Sequence, residues 1–474
     1  MSKKKIFKDF FSSGVNVFAL QFFSLLFFYL VSLNLSKAAF GALQWATALA
    51  TTIFTIASMG MDSIIVNKVA GDGRNNWMPA GYFFHMLLAG IVTVLASFII
   101  QQYTTTEHAA SVITLVMAGQ ALYFLAAPFR QLLVGKEAFS TLAVITFTTN
   151  LLKLLLAGVL LYAQRLDLQG TIAIIIACSA IELALVTIVV FRQKLVSFAF
   201  TARQYLQLLK HSIPQFVSTV FDSGLSRIDW ILLGILLSET ATGEYSFAYR
   251  IFEIARLPQV ILAPILLTRF SRLSAAEQGD KDHAATKKLI LPLMGVVLSL
   301  GFLIVLLSNM VWTPLIDGLT QGKYGAVNEN TFLVLSLCIP VHFLTSYMWT
   351  LHFSAGHLKK VMHVTIISFF VNLLLNIAFI SWLGSVGAAL AFLCTAITQL
   401  LLYLRQEKEI RGSLAVYFFK LLLAAAVAFA AGKLAPVHVI FQCLITTSVY
   451  LLFVKLYGFA NREKFALILR LLGQ

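Results

Sequence analysis

Residues 170–191 read GTIAIIIACSAIELALVTIVVF, twenty-two positions with Glu182 as the one charged side chain. At 1.5 Å per residue a helix of that length covers about 33 Å, enough to cross a ~30 Å hydrocarbon core. Only helices and closed barrels hide every peptide group from lipid, and barrel strands alternate apolar with polar residues. This run does not alternate, so it predicts a transmembrane helix. The rest of the chain repeats the pattern. Hydrophobic residues make up 59% of 474 and charged residues 12%, against about 25% charged in a soluble domain. The predicted class is an all-α integral membrane protein of fourteen spans: 14–35, 40–62, 79–101, 109–128, 139–163, 170–191, 213–237, 243–268, 288–309, 328–350, 361–382, 385–404, 413–432 and 437–457. The basic start MSKKKIFKDFFSSG runs into an apolar stretch reaching Leu35 with no small-residue cleavage site, so the first span reads as retained.

Charge sets the expected orientation. With the N-terminus inside, 26 Lys and Arg fall on inner segments and 4 on outer loops, namely Lys37, Arg165, Lys323 and Lys433. The inner set includes Lys3, Lys4, Lys5, Lys8, Arg130, Lys136, Arg269, Arg272, Lys359, Lys360, Arg405 and Arg411. Such asymmetry predicts both termini in the cytoplasm. The net charge of +15 is then mostly topological, with attraction to anionic lipid head groups as a by-product, and it does not call for nucleic acid.

Two stretches about 200 residues apart read alike. Phe40-Gly41-Ala42-Leu43-Gln44-Trp45-Ala46 opens span 2, and Thr242-Gly243-Glu244-Tyr245-Ser246-Phe247-Ala248 opens span 8. Gly135, Asn150 and Gly170 around spans 5 and 6 match Gly356, Asn372 and Gly387 around spans 11 and 12. The repeat unit is six spans in parallel orientation, a plan common in transporters. The expected organisation is an N-lobe at 1–191, a basic cytoplasmic linker at 192–212, a C-lobe at 213–404, and two further spans with a tail at 405–474.

Five cations fall inside spans: Lys153, Arg227, Arg250, Arg256 and Lys420. An ionised group at the bilayer centre costs ~2.5–3.5 kcal/mol on insertion scales, so such groups face partners or a wet cavity. Span 7 carries Asp222, Arg227 and Asp229; span 8 carries Arg250, Glu253 and Arg256, with Pro258 and Pro264 expected to bend it. Glu253 can pair with either arginine. Lys153 and Glu182 lie near mid-depth in spans 5 and 6. These groups read either as ion pairs holding the bundle together or as a polar cavity offering arginines to an anionic ligand, whose phosphate oxygens suit the planar guanidinium fork. Two arginines beside one glutamate leave a cation unneutralised, which favours the second reading for Arg250 and Arg256. Lys420 lies near a span end and can snorkel.

Four cysteines (Cys178, Cys338, Cys394, Cys443) sit apart in apolar runs and read as buried hydrophobes, not metal ligands or disulfides. His342, His352, His357 and His363 gather near the inner ends of spans 10 and 11, as interfacial hydrogen-bonding groups before a proton relay. No Ser/His/Asp set and no GxxxxGK[ST] loop is present, and no loop is long enough for an ATPase domain. The prediction is a transporter and not an enzyme, without cofactor or metal, energised by a gradient, the membrane potential or the substrate's own gradient, with H+ or Na+ coupling open.

The loop phrase Leu35-Ser36-Lys37-Ala38-Ala39-Phe40-Gly41, the span ending Gly60-Met61-Asp62, and Ser226-Arg227-Ile228-Asp229-Trp230-Ile231-Leu232-Leu233-Gly234 followed by Thr242-Gly243-Glu244-Tyr245 resemble the polysaccharide transporter (oligosaccharide flippase) family of the multidrug/oligosaccharidyl-lipid/polysaccharide exporter superfamily. The resemblance implies two six-helix lobes around a V-shaped inner cavity, alternating access, and flipping of a polyprenyl-diphosphate-linked glycan across a bacterial inner membrane. It implies membrane lipids as surroundings and leaves a polysaccharide polymerase and glycosyltransferases open as partners. The spans at 413–432 and 437–457 are similar to the extra pair of fourteen-span members. Arg227, Arg250, Arg256 and Lys153 are then the candidate substrate-binding residues, with Asp222, Asp229, Glu253 and Glu182 as charge partners or ion-coupling groups. A cation-coupled multidrug antiporter of the same superfamily and a non-transporting scaffold of a polysaccharide-assembly complex stand as alternatives.

Overall fold

The computed structural model describes residues 21–71, 76–103, 107–260, 284–405 and 407–459, with positions 263, 266, 267 and 270. The basic start, Arg74, Pro264, Arg269, Arg272, Lys281 and the tail cations Arg462, Lys464 and Arg470 lie outside them. Every regular element among the described residues is a helix, and they follow the predicted spans in order. Span 1 is α1 (Gln21–Asn34). Span 2 is α2 (Lys37–Ala57) with α3 (Met61–Gly71), span 3 is α4 (Met78–Tyr103), and span 4 is α5 (Glu107–Leu125) with α6 (Ala127–Gly135). Spans 5 to 8 are α7 (Phe139–Tyr162), α8 (Leu168–Arg192), α9 (Ala202–Leu236) and α10 (Glu239–Ala255). Spans 9 and 10 are α11 (Ala284–Thr320) and α12 (Glu329–Ser354), α13 (Leu358–Leu404) contains spans 11 and 12, and α14 (Lys408–Leu434) and α15 (Val439–Leu456) close the series. Among the described residues, ten segments are long and apolar enough to cross a membrane by length and composition. The chain is a multi-pass all-α membrane protein.

Local chemistry starts and stops these helices. Ser36 accepts from the Ala39 N–H at 3.1 Å to open α2, and Asp167 accepts from the Gly170 N–H at 2.7 Å to open α8. Thr201 and Gln204 form a reciprocal capping box, so α9 starts at Ala202. The linker expected as a loop over 192–212 is therefore extended only as far as Thr201 and helical beyond. That helical part is tied down: His85 donates from Nε2 to the Ala57 carbonyl at 2.7 Å, which leaves Nδ1 to accept from the Tyr205 hydroxyl at 2.8 Å. Burial pushes the Tyr205 phenol above its ordinary value, consistent with its role as donor. In α13 the two spans meet at Gly384, whose φ of 61° and ψ of −134° interrupt the helix.

The chain divides into two compact units, 1–243 and 244–474. This packing boundary falls in α10, and α9 packs on α2 and α3 of the first unit. In the first unit Gly41 and Gly243, one from each phrase, lie at a close helix approach. A Cβ on Gly41 would overlap the Glu239 carbonyl, and one on Gly243 would come within 3.2 Å of the Gly41 backbone. Trp45 donates from its indole to the Ile231 carbonyl at 3.1 Å, and its ring fills the space a side chain at Gly234 would need. Phe54 stacks on Phe124 at 5.5 Å. Close approach through glycine is how helices gain contact where lipid is as apolar as leucine.

In the second unit α14 and α15 are built into the core. Leu421, Ala424, Ala425 and Ala428 pack in one cluster with Leu298, Phe302 and Leu306, and Tyr450 donates to the Ser299 carbonyl at 2.9 Å. Asn372 donates to Thr395 Oγ1 at 3.1 Å, joining the two arms of α13. The loop after α11 is clamped by Asp317, which accepts from the Gly325 and Ala326 N–H groups at 2.6 and 3.0 Å.

The Trp45–Gly234 fit gives a size test. Gly234→Val is expected to lower detergent stability by about 2–3 kcal/mol, and adding Trp45→Ala recovers part of it. Gly158→Ala, with nothing within 4 Å of its added methyl, serves as the neutral control in the same thermal-unfolding series.

Candidate functional site

The embedded charges fall into the two compact units, and each set has its own geometry. In the first, Glu182 on α8 pairs with Arg130 on α6 at 2.5 Å, with the two side chains only 15% and 14% exposed. Arg130 was expected on an inner loop. It lies instead in helix, because α6 opens on Pro128 near its first position and continues the span to Gly135. The Arg130 guanidinium also sits 4.0 Å over the Tyr123 ring, and Tyr82 donates to the nearby Asp62 at 3.2 Å. Glu182 is thus a paired acid. Lys153 has no carboxylate within salt-bridge distance among the described residues; its ammonium lies 5.7 Å from the Phe27 ring and within electrostatic reach of Glu182.

The three charges of α9 differ in their surroundings. Asp229 is 3% exposed, and its Oδ1 accepts from the Trp230 N–H at 2.9 Å. Asp222 is exposed, and Ser226 turns its hydroxyl back to the Asp222 carbonyl at 2.7 Å. The Arg227 guanidinium lies 4.6 Å over the Trp230 ring.

In the second unit the span-8 ladder resolves its ambiguity. Glu253 accepts from Arg250 Nη1 at 2.9 Å, an i,i+3 pair. Arg256 has no carboxylate within salt-bridge distance among the described residues. Its Nε donates to Gln259 Oε1 at 3.1 Å, and Gln259 Nε2 donates to the His342 carbonyl at 3.2 Å. The guanidinium lies 5.2 Å from the Phe252 ring, and Phe252, His342 and Phe392 form an aromatic group with centroids 5.1 to 6.1 Å apart. Arg256 sits just past the end of α10. Pro258 explains the break, since it has no N–H to return to the carbonyl four residues earlier.

The expected histidine cluster separates. His352 receives the Lys360 ammonium at 3.0 Å with His357 5.9 Å away, whereas His342 belongs to the Arg256 group. All four cysteines are free thiols. Lys420 is exposed and lies 5.6 Å from the Tyr457 ring. Two residues of these arrangements were not singled out as site residues from sequence, Arg130 and Gln259. Pro128 before Arg130 is a helix-start signal that could have placed the arginine in a helix. Nothing local in sequence marks Gln259.

A family profile described as polysaccharide biosynthesis protein matches residues 6–276. The chain is 24% identical over 242 residues to the probable low-salt glycan biosynthesis flippase Agl15 of Haloferax volcanii, covering 49% of this chain and 48% of that protein. The match thus spans about half the length of that relative. Among solved structures the chain is similar to the lipid II flippase MurJ in an inward closed conformation, with a TM-score of 0.74 at 14% identity over 94% of this chain and 98% of that one. It is also similar to an inward-facing multidrug resistance MATE family transporter (TM-score 0.66, 13% identity, 84% and 95% coverage). A third likeness is to a MOP superfamily transporter from Pyrococcus furiosus (0.60, 13%, 86% and 96%). At these identities the structural likeness is one of fold.

The Arg130–Glu182 pair is testable without any substrate. Either Arg130→Ala or Glu182→Ala leaves a buried charge unpaired and is expected to cost about 3 kcal/mol of stability. The exchanged double variant, Arg130→Glu with Glu182→Arg, is expected to unfold closer to wild type than the sum of its single changes. Single variants as stable as wild type would remove the pair from the fold's support.

Proposed function

The chain belongs to the polysaccharide biosynthesis protein family, and we propose from that membership that it is a flippase for a polyprenyl-diphosphate-linked oligosaccharide. The proposed cycle is alternating access, carrying a surface-polysaccharide repeat unit from the inner to the outer leaflet of a bacterial cytoplasmic membrane. The proposed lobes are those of the sequence repeat, 1–191 and 213–404, with both termini cytoplasmic as the charge count favours. Movement of H+ or Na+ down its gradient is the proposed energy source. Polymerase and glycosyltransferases of the same assembly line are the proposed partners.

The observation that carries the reading is Arg256. A partly buried arginine without a carboxylate partner among the described residues holds a full positive charge in a membrane protein, and a diphosphate is the anion its two-pronged geometry fits. Arg227, Arg250 and Lys153 are proposed as further contacts to the charged head. The membrane-embedded acids favour this cargo over a cationic drug: Glu182 is committed to Arg130, Glu253 to Arg250, and Asp229 to a backbone N–H. Of the four candidate acids, Asp222 stands exposed, which suits it to the coupling ion.

The test is reconstitution in liposomes with labelled polyprenyl-diphosphate-linked oligosaccharide, reading its accessibility across the bilayer. Wild type is expected to speed equilibration between leaflets, Arg256→Ala to slow it at least about tenfold, and Arg256→Lys to fall between, since a point charge replaces a fork. Unchanged accessibility with folded wild-type protein defeats the flippase reading. Arg256→Ala flipping at the wild-type rate removes Arg256 from substrate binding.

A further inference from the structure

Beside Arg256 the second unit carries a cleft of about 350 Å³, lined by Gln259, Val260, Ala263, Leu267, Ser346 and Trp349. Beneath it lies a chamber of about 20 Å³ that shares Gln259, Ala263 and Ser346 and reaches Tyr347, room for one water or one hydroxyl group. We propose that this cleft is a saccharide subsite. The Trp349 ring carries the apolar face of a sugar, while the Gln259 amide and the Ser346 and Tyr347 hydroxyls take its polar edge. The proposal rests on the flippase reading and adds to it where the first sugar of the cargo sits.

Three observations point this way. Tyr347 is 2% exposed, yet its hydroxyl has no hydrogen-bond partner among the described residues. A buried hydroxyl left unpaired is destabilising and rare, and this one borders a chamber of the size a ligand hydroxyl fills. Second, the Gln259 amide is held at both ends. Its Oε1 accepts from Arg256 and its Nε2 donates to the His342 carbonyl, which leaves one N–H and one lone pair to offer, in fixed orientation. Third, Trp349 is 36% exposed and buttressed by Phe353 at 4.7 Å and 15°, a rigid aromatic plate with few polar groups around it, as small-molecule sites have.

The order of groups matches the chemistry of the cargo. In a glycosyl diphosphate the phosphate is bonded directly to the first sugar. Here the cation that would hold the phosphate is hydrogen-bonded to the amide that lines the sugar cleft. One covalent linkage in the ligand corresponds to one hydrogen bond in the protein.

The experiment measures the Kd of purified full-length protein for a short-chain polyprenyl diphosphate, bare or carrying one hexose, one N-acetylhexosamine or one 6-deoxyhexose. At least one sugar-bearing probe is expected to bind about tenfold tighter than the bare lipid. Trp349→Ala and Tyr347→Phe are each expected to erase most of that increment and to leave the bare lipid's Kd unchanged, while Trp349→Phe keeps most of it. Tyr347→Phe is expected to unfold at the wild-type temperature, because no hydrogen bond is lost, so it decides the matter if Trp349→Ala fails to fold. If bare lipid binds and no sugar adds affinity, or if the increment survives both Trp349→Ala and Tyr347→Phe, the subsite is wrong and the flippase reading stands. If no probe binds, both fall.

Discussion

Hydrocarbon offers no hydrogen-bond donor or acceptor, and that constraint governs this molecule at every level. Each peptide group finds its partner within its own helix, so the helices arrive as finished objects. They cannot then be driven together by burial from water, since lipid tails match their side chains. What holds them is close approach and a few polar contacts. Gly41 and Gly243 let backbones touch, Trp45 lies over Gly234 and reaches the Ile231 carbonyl, and Asn372 bonds to Thr395. Gly41, Gly234 and Gly243, in the short phrases that look like family signatures, are physically places where helices approach closely.

The same constraint sorts the charges. Acids are committed to partners: Glu182 to Arg130, Glu253 to Arg250, and Asp229 to a backbone N–H. Cations are in excess, and among the described residues Arg256 has an amide and an aromatic ring for neighbours and no carboxylate within salt-bridge distance. Aromatic faces soften the cost of a charge without cancelling it. An arginine so placed is the basis of the proposed contact to an anionic cargo.

The helices were legible in the sequence because membrane spans are marked by length and continuity of apolar residues, a signal that needs no knowledge of neighbours. Spans 11 and 12, read as 361–382 and 385–404, are divided in the structure at Gly384, where the backbone leaves helical geometry. The partners of the charges were far less legible. Glu253 lies three residues from both arginines, and periodicity alone gave no preference; the choice of Arg250 is made by tertiary surroundings. Arg130 looked like a loop cation because an apolar run ended before it, yet its helix continues to reach Glu182, fifty-two residues away. Gln259 carries no charge and so drew no notice, although it connects Arg256 to α12. The start of α9 was readable from Thr201 and Gln204 and was obscured by treating a basic stretch as a loop.

The junction at Gly384 has a consequence for biogenesis. The corresponding spans 5 and 6 are joined by residues 163–167, long enough to be threaded through after the first helix has settled. Spans 11 and 12 have a single glycine with a backbone conformation closed to other residues. A turn this short favours entry of the two arms together as a hairpin, in which the Asn372–Thr395 bond pairs two polar groups. Two halves alike in pattern would thus be built by different routes.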